Sequence, residues 1–381
     1  MQDTGAHKST YDLICLSHLR WNFVFQRPHH LLTRCAAERR VFFVEEPVWG
    51  EDTTPRLDLQ QSNNITVIVP HLPHGSDEIV VMRRLIDEVI AAQQIERYVL
   101  WYYTPMALGF TSHLQPDAVV YDCMDELSSF AHAPVELRQF EQELLRRADV
   151  VFTGGQSLYE AKRHLHRNIH PFPSSVDVEH FAQARVADAD PEDQRDIPRP
   201  RLGFFGVIDE RMDLELLAGI ADARAHWQIV ILGPLAKIEP VTLPRRRNIH
   251  YLGPKTYAQL PQYIAGWDVA LLPFARNDAT RYISPTKTPE YLAAGKPVVS
   301  TSIRDVIRPY AHQGLVRIAD SVEGFVDACE AAMTEDAVAR QRDADVFLRQ
   351  TSWDGTWTRM QRLVEAAFTT TTEPVPIAGA L

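Results

Sequence analysis

Two doubly wound α/β domains facing a central cleft are the architecture predicted by three observations on this 381-residue chain. The length exceeds that of one ordinary compact domain. Short, continuously apolar, β-branched runs alternate with helical patterns, the signature of a parallel sheet covered on both faces. That alternation stops at an acidic, proline-bearing stretch and then restarts.

In the first half the strand candidates are Leu13–Ser17, Val41–Glu45, Ile65–Val69, Tyr98–Tyr102, Ala118–Asp122 and Val150–Thr153. Helical patterns cover Arg27–Glu38, Glu78–Gln93, Val135–Arg147 and Gln156–His166. The run Ala187–Pro200 has no periodicity and reads as part of an interdomain linker, 183–200. Beyond it, strands are expected at Leu202–Val207, Gln228–Leu232, Ile249–Leu252, Val269–Pro273, Pro297–Thr301 and Leu315–Ile318. Helices are expected at Asp213–Ala223, Tyr257–Ala265, Pro289–Ala294, Val322–Met333, Ala337–Arg349 and Trp353–Phe368. The domains are thus 1–182 and 201–351, with a loose polar tail at 370–381.

Composition narrows the function classes. A hydrophobic content of 45% with 23% charged residues is that of a soluble globular protein, and a net charge of −11 disfavours nucleic acid as a partner. Met1–Thr10 lacks the apolar stretch of a signal peptide, and no run reaches the roughly 18 apolar residues of a membrane span. A cytoplasmic protein is expected. The basic pairs Arg83-Arg84 and Lys162-Arg163 offer peripheral contact with anionic lipid at the inner membrane surface, against which the net charge argues. Lys162-Arg163-His164 and Arg245-Arg246-Arg247 read as solvated surface. Cys15, Cys35, Cys123 and Cys329 show no metal-like pairing, and Cys15 and Cys123, in apolar strand-like runs, read as small core residues.

In doubly wound sheets, ligands bind beyond the carboxyl ends of the strands. The most informative strand-end segment runs from Ser284 to Thr301. Ser284-Pro285 and Thr288-Pro289 each pair a capping hydroxyl with a proline suited to a first helical position. Pro289 favours a helix start at Thr288, and Gly295 is placed to end it in the left-handed conformation. A helix this short positions its N-terminus, where free amides attract an anion. Lys287 adds a full charge, and Glu290 in the first turn suits two ribose hydroxyls. Ser284, Thr286 and Thr288 belong to the same donor-side set. Spacing alone leaves two readings open: a nucleotide-diphosphate site, or a helix whose glutamate caps its own end.

The residues Glu290-Tyr-Leu-Ala-Ala-Gly295-Lys-Pro297-Val-Val299 are similar to the donor-binding motif of retaining GT-B glycosyltransferases of family four. Trp267-Asp-Val-Ala-Leu-Leu-Pro273 resembles the strand that precedes that motif. Pro173-Ser-Ser-Val-Asp177 with Phe181 resembles the hinge motif. The resemblance covers the second half well and the first half loosely. It implies a GT-B fold, with the closing helix 352–369 packing back on the first domain, and a nucleotide sugar (UDP or GDP) as donor. It further implies transfer to a glycan, lipid-linked or other hydroxyl acceptor with retention of configuration, in a bacterial subgroup serving cell-surface polysaccharide assembly. Where the family carries a second glutamate, eight residues before Glu290, this chain has Tyr282, so the contact to the donor sugar differs.

Other loops converge on that site. Gly206 permits close backbone approach after its strand, and Arg211 matches the basic residue that relatives place on the diphosphate. The alternative is an Arg211 ion pair with Asp209 or Glu215. Gly253 and Lys255 lie where relatives touch the nucleobase through backbone groups. On the acceptor side the first strand ends in His18, Arg20, Trp21 and Asn22, leading into Arg27. Relatives hold a polar residue near the anomeric carbon after the fifth strand. Asp125 is the nearest match, with Asp122 and Glu126 as alternative registers. His18 and Asp125 are the candidate catalytic residues. Both Asp-x-Asp matches, Asp188-Ala-Asp190 and Asp343-Ala-Asp345, fall in a linker and a helix, so no metal and no other cofactor is expected. Lys287, Arg211 and the helix N-terminus then stabilise the leaving diphosphate. Competing readings are a GT-B-fold sugar-nucleotide epimerase or hydrolase, and an inactive GT-B partner subunit. No Gly-x-Gly-x-x-Gly follows either first strand, which disfavours a nicotinamide dehydrogenase.

Overall fold

A computed structural model describes residues 11–131 and 133–370. The polar start Met1–Thr10 and the tail residues 371–381 lie outside the described residues.

Nine strands build the first sheet: β1 (Asp12–Ser17), β2 (Val41–Glu45), β3 (Val48–Gly50), β4 (Arg56–Ser62), β5 (Ile65–Pro73), β6 (Tyr98–Tyr102), β7 (Ala118–Cys123), β8 (Val150–Thr153) and β9 (Ile169–Pro171). Their order is β3-β5-β2-β1-β6-β7-β8-β9, with β4 paired antiparallel to β5 and every other pair parallel. Six strands build the second: β10 (Arg201–Phe205), β11 (Gln228–Leu232), β12 (Ile249–Tyr251), β13 (Val269–Leu272), β14 (Val298–Ser300) and β15 (Arg317–Ile318). All pairs are parallel in the order β12-β11-β10-β13-β14-β15, the doubly wound arrangement. In each sheet the order reverses beside the first strand, and a crevice opens at the strands' carboxyl ends.

The apolar runs are continuous because both faces of each sheet are covered. In β1, Leu13 and Cys15 enter one core cluster while Ile14 and Leu16 enter the other. In β11, Val230 and Leu232 point to one face, Ile229 and Ile231 to the opposite one. The strands missing from the sequence reading are β3, β4 and β9. Strand β4 is an edge, mostly exposed and rich in polar residues, so it lacks the apolar run that marks a buried strand.

Packing adds to or corrects three expectations. First, the linker is held in place. Gln194 is fully buried, its amide nitrogen donating to the Tyr263 carbonyl and its amide oxygen accepting from the Trp267 indole, while Asp190 pairs with Arg201 at 2.7 Å. Second, Val176, Phe181 and Ala184 belong to the core of the second sheet, so that body begins before residue 201. Phe181, fully buried, packs there beside Phe205 and Tyr257. Third, Lys162 is not solvated: only 5% exposed, it bridges Glu126 (2.7 Å) and Glu141 (2.8 Å). Arg246, by contrast, pairs with Asp222 on the surface. All four cysteines are free and buried.

The closing helix Trp353–Thr370 packs on the first sheet through Trp353, Trp357, Met360 and Val364. His30 lies flat on Trp353, centroids 4.5 Å apart and planes 8° from parallel. Among the described residues no helix is long and apolar enough to cross a membrane. Replacing Trp353 by Ala removes a buried indole that ties the chain's end to the first sheet. A stability loss of about 3–5 kcal/mol is expected in urea unfolding, and a loss below about 1 kcal/mol would contradict this assignment.

Candidate functional site

Loops at the carboxyl ends of both sheets line one cleft. On the second-domain wall Gly206 after β10 and Gly233 after β11 line the cleft; Gly253 after β12 does not, although its neighbours Pro254 and Lys255 do. Gly206 (φ 134°) and Gly233 (φ 139°) have no room for a side chain. A Cβ on Gly233 would sit 1.9 Å from the Gly206 carbonyl oxygen, and one on Gly206 2.1 Å from Lys287 Cε. These absent side chains bring backbone and ammonium together at the cleft floor.

The helix carrying Lys287 and Glu290 spans Lys287–Ala293. It ends as expected: Gly295 (φ 74°) donates to the Leu292 carbonyl and Lys296 to the Tyr291 carbonyl, a Schellman motif. The start differs. The helix begins at Lys287, its cap residue Thr286 makes no side-chain bond, and the Thr288 hydroxyl is buried without a partner. The Thr288 amide is taken by the Pro285 carbonyl, so the turn is already wound before Thr288 can cap it. Tyr291, fully buried, accepts the Phe205 amide at 3.0 Å and fixes the helix to the end of β10.

Glu290 is 5% exposed and its Oε2 has no hydrogen-bond partner. Burial pushes this carboxyl up, and Lys287 only partly offsets the rise. Lys287 lines the cleft with its ammonium 5.5 Å and 5.9 Å from the Phe204 and Phe205 ring centroids. Burial and then Arg211 depress its pKa. Burial thus disfavours the charged form of both groups, a combination that recurs at binding and catalytic sites.

Arg211 also lines the cleft, and it pairs with Asp209, Nη2 to Oδ2 at 2.6 Å. The ion pair weighed from sequence exists, yet it lies within the cleft wall and not on open surface, with Asp209 6% exposed. Lys255 lines the cleft while its ammonium is held by Asp193 at 2.6 Å. Ser284 and Thr286 line the cleft as well, and the Ser284 carbonyl accepts from the Ser174 hydroxyl at 2.8 Å. Tyr282 is not among the lining residues; it packs on an apolar cluster of the first domain.

The first-domain wall departs more from sequence expectation. Arg27 lines the cleft, but its guanidinium is 3% exposed and bound by both carboxylate oxygens of Asp122 (3.1 and 2.9 Å) and the Phe172 carbonyl (2.7 Å). It holds β7 to the helix start and has no free donor face for an acceptor. Arg20 pairs with Glu45 at 3.0 Å and also donates to the Glu46 and Pro47 carbonyls. The Trp21 ring packs against His29 and Phe43, and Asn22 bonds Gln60. Arg20, Trp21 and Asn22 do not line the cleft. Nor does His18, whose Nδ1 is buried and unpartnered; burial, then Lys237, lowers its pKa to about 4. Both rings of the His29-His30 pair are buried.

Asp125 does line the cleft, its pKa raised by burial against the opposing pull of Arg211. Asp122 is consumed by Arg27, and Glu126 by Lys162. Of the three registers, only Asp125 keeps its carboxylate at the cleft. Residues that sequence reading passed over are Phe23, Phe25 and Tyr257. Phe25 stacks on Tyr257 across the two domains at 4.3 Å, and Tyr257 stacks on His180 at 4.1 Å. The signal was available: Phe23-Val-Phe25 is an apolar run in a loop, without the periodicity of a buried element.

Residues 199–335 match the family model described as Glycosyl transferases group 1. The chain is 26% identical over 304 residues to the protein of Bacillus subtilis designated a teichuronic acid biosynthesis glycosyltransferase, TuaH, covering 70% of this chain and 74% of that one. Among solved structures, sucrose-phosphate synthase of Thermosynechococcus elongatus superposes with a TM-score of 0.71 at 12% identity, over 94% of this chain and all of that one. HepE of Anabaena, in complex with UDP and glucose, gives 0.69 at 11% identity over 93% and 100%. These likenesses establish the GT-B fold.

The buried carboxyl makes stability depend on pH. Folded Glu290 keeps its proton to a higher pH than the unfolded chain, whose carboxyl titrates near about 4.3. Its contribution is therefore present in acid and lost as pH rises through the folded pKa. Lys287, depressed in the folded state, has the opposite sign: stability recovers as pH climbs above its folded pKa towards about 10.4. In ligand-free protein, Glu290→Gln should flatten the fall in melting midpoint between weakly acid and neutral pH. Equal slopes in variant and wild type would show that Glu290 titrates normally.

Proposed function

We propose that this chain, which has the GT-B fold and whose residues 199–335 match the model of group 1 glycosyl transferases, is a glycosyltransferase that moves a sugar from a nucleoside diphosphate to an acceptor hydroxyl with retention of configuration. The observation that carries this reading is the unpartnered, buried Glu290 carboxylate one helical turn from Lys287. Two ribose hydroxyls donating to Glu290 supply the missing hydrogen bonds. A diphosphate beside Lys287, whose side chain packs into the space that Gly206 leaves, supplies the missing anion. The nucleobase then rests at Gly253-Pro254 beside Tyr257 and Leu260.

As the anomeric carbon–oxygen bond breaks, negative charge grows on the diphosphate, and Lys287 and Arg211 stabilise it in place. The acceptor oxygen bonds to the same face of the sugar and gives its proton to the departing phosphate oxygen. Asp125 orients the acceptor hydroxyl from the opposite wall. HepE in complex with UDP makes UDP the first nucleotide to test, and the teichuronic acid biosynthesis role in the name of TuaH favours an acceptor in polysaccharide assembly.

Thermal-shift titration with UDP, GDP, ADP, CMP and dTDP reads the donor directly, since binding to the folded state alone raises the midpoint. One nucleotide should raise it, and Glu290→Ala should abolish the rise. No shift with any of the five removes the donor site. Because side chains supply the positive charge, transfer should persist in EDTA, and Lys287→Met should lower kcat by about 100-fold or more. Product formed without any acceptor would instead mark an epimerase or hydrolase.

A further inference from the structure

A column of stacked rings crosses the cleft. Trp21, His29 and Phe25 of the first domain continue into Tyr257 and His180, with successive centroids 4.3, 4.7, 4.3 and 4.1 Å apart. Both faces of Tyr257 are therefore covered, one by Phe25 and the other by His180. The two covers are held differently. His180 bonds through Nε2 to the Tyr257 carbonyl at 3.0 Å and meets Phe181 of the core edge-on. Phe25 lies in a stretch without regular structure, and its ring is 43% exposed although stacked on both sides. Turning the Phe25 side chain outward gives up little buried area. Moving His180 breaks a hydrogen bond and opens the core. Only the Phe25 face of Tyr257 can be uncovered cheaply.

That face lies where a base arrives. Ribose hydroxyls on Glu290 place the base one glycosidic bond away, and Tyr257 lines the same cleft as Glu290. The Tyr257 hydroxyl is buried without a hydrogen-bond partner, and burial and then the Glu290 carboxylate push its pKa up, as expected of near neighbours. The other aromatic rings of the second-domain wall, Phe205 and Phe274, are core residues. A base stacks favourably on any aromatic face, since every base has a π-face of its own. Entering here it finds Tyr257, and finds Phe25 already on it.

We propose that Phe25 is a plug on the nucleobase seat: its ring occupies the face of Tyr257 that the base of the donor nucleotide takes, and binding exchanges phenyl for base. This inference rests on the donor-site reading and adds to it a competitor supplied by the other domain. Donor entry then releases one contact between the walls. The walls stay joined without it, through Ser174 on the Ser284 carbonyl and Asp305 on the Ser157 amide.

Isothermal titration calorimetry of the full chain with UDP, GDP, ADP, CMP and dTDP tests the proposal. Wild type is compared with Phe25→Ala, Tyr257→Ala and the double variant. Phe25→Ala removes the competitor and should bind the preferred nucleotide about three- to tenfold more tightly than wild type. Tyr257→Ala should weaken binding, and adding Phe25→Ala to it should bring no gain. Phe25 is half-exposed, so its variant should fold with a melting midpoint near that of wild type. Equal or weaker affinity in Phe25→Ala overturns the proposal, and so does an undiminished gain in the Tyr257→Ala background. If Tyr257→Ala does not fold, the direction of the Phe25→Ala change decides alone. The two readings fail separately. No binding of any nucleotide by wild type or Phe25→Ala removes the donor site and the plug with it, whereas binding without a gain in Phe25→Ala removes only the plug.

Discussion

A carboxylate sealed to 5% exposure with one oxygen unpaired is the constraint around which the second domain is arranged. An unsatisfied buried polar group costs about 1–3 kcal/mol, and more when charged. The short helix Lys287–Ala293 keeps Glu290 there because its other end is clamped by the Schellman closure at Gly295 and by Tyr291 on the end of β10. Lys287 rides on the same turn, pressed against a glycine that could not carry a side chain. Hydroxyls donating to Glu290 and an anion beside Lys287 would both relieve that burial, and the proposed nucleoside diphosphate offers the two together.

The opposite wall follows the reverse logic. Its charges are spent on architecture: Arg27 binds Asp122 to hold the first helix against β7, and Lys162 gathers Glu126 and Glu141 beneath the Asp125 loop. One carboxyl, Asp125, stays at the cleft surface. Contact between the walls is direct, through Phe25 on Tyr257, Ser174 on the Ser284 carbonyl, and Asp305 accepting the Ser157 amide at 3.0 Å. Gly155 allows that last approach, since a Cβ there would stand 2.2 Å from an Asp305 carboxylate oxygen. The two walls of the cleft thus meet as surfaces of contrasting charge.

Local pattern made much of this legible. Twelve strand positions read from apolar runs are occupied by strands, because a strand buried on both faces writes itself as an uninterrupted apolar word. Gly295 announced the end of the donor helix for an equally local reason, since its left-handed conformation strains any other residue. The start of that helix was less legible, because two hydroxyl–proline pairs compete and the choice depends on which carbonyl the Thr288 amide reaches.

Sequence by itself determined the two sheets, the cleft at their carboxyl ends, and the placement of Lys287 and Glu290 one turn apart on a helix at that cleft. Those features depend on neighbours within a few residues. Only the tertiary structure decided which charges are free to act. Arg27 meets Asp122 across 95 positions, Lys255 meets Asp193 across 62, and Asp305 reaches Ser157 across 148. A guanidinium reads the same in a sequence whether it faces solvent or a buried carboxylate, since charge is carried by the residue and availability by the fold around it.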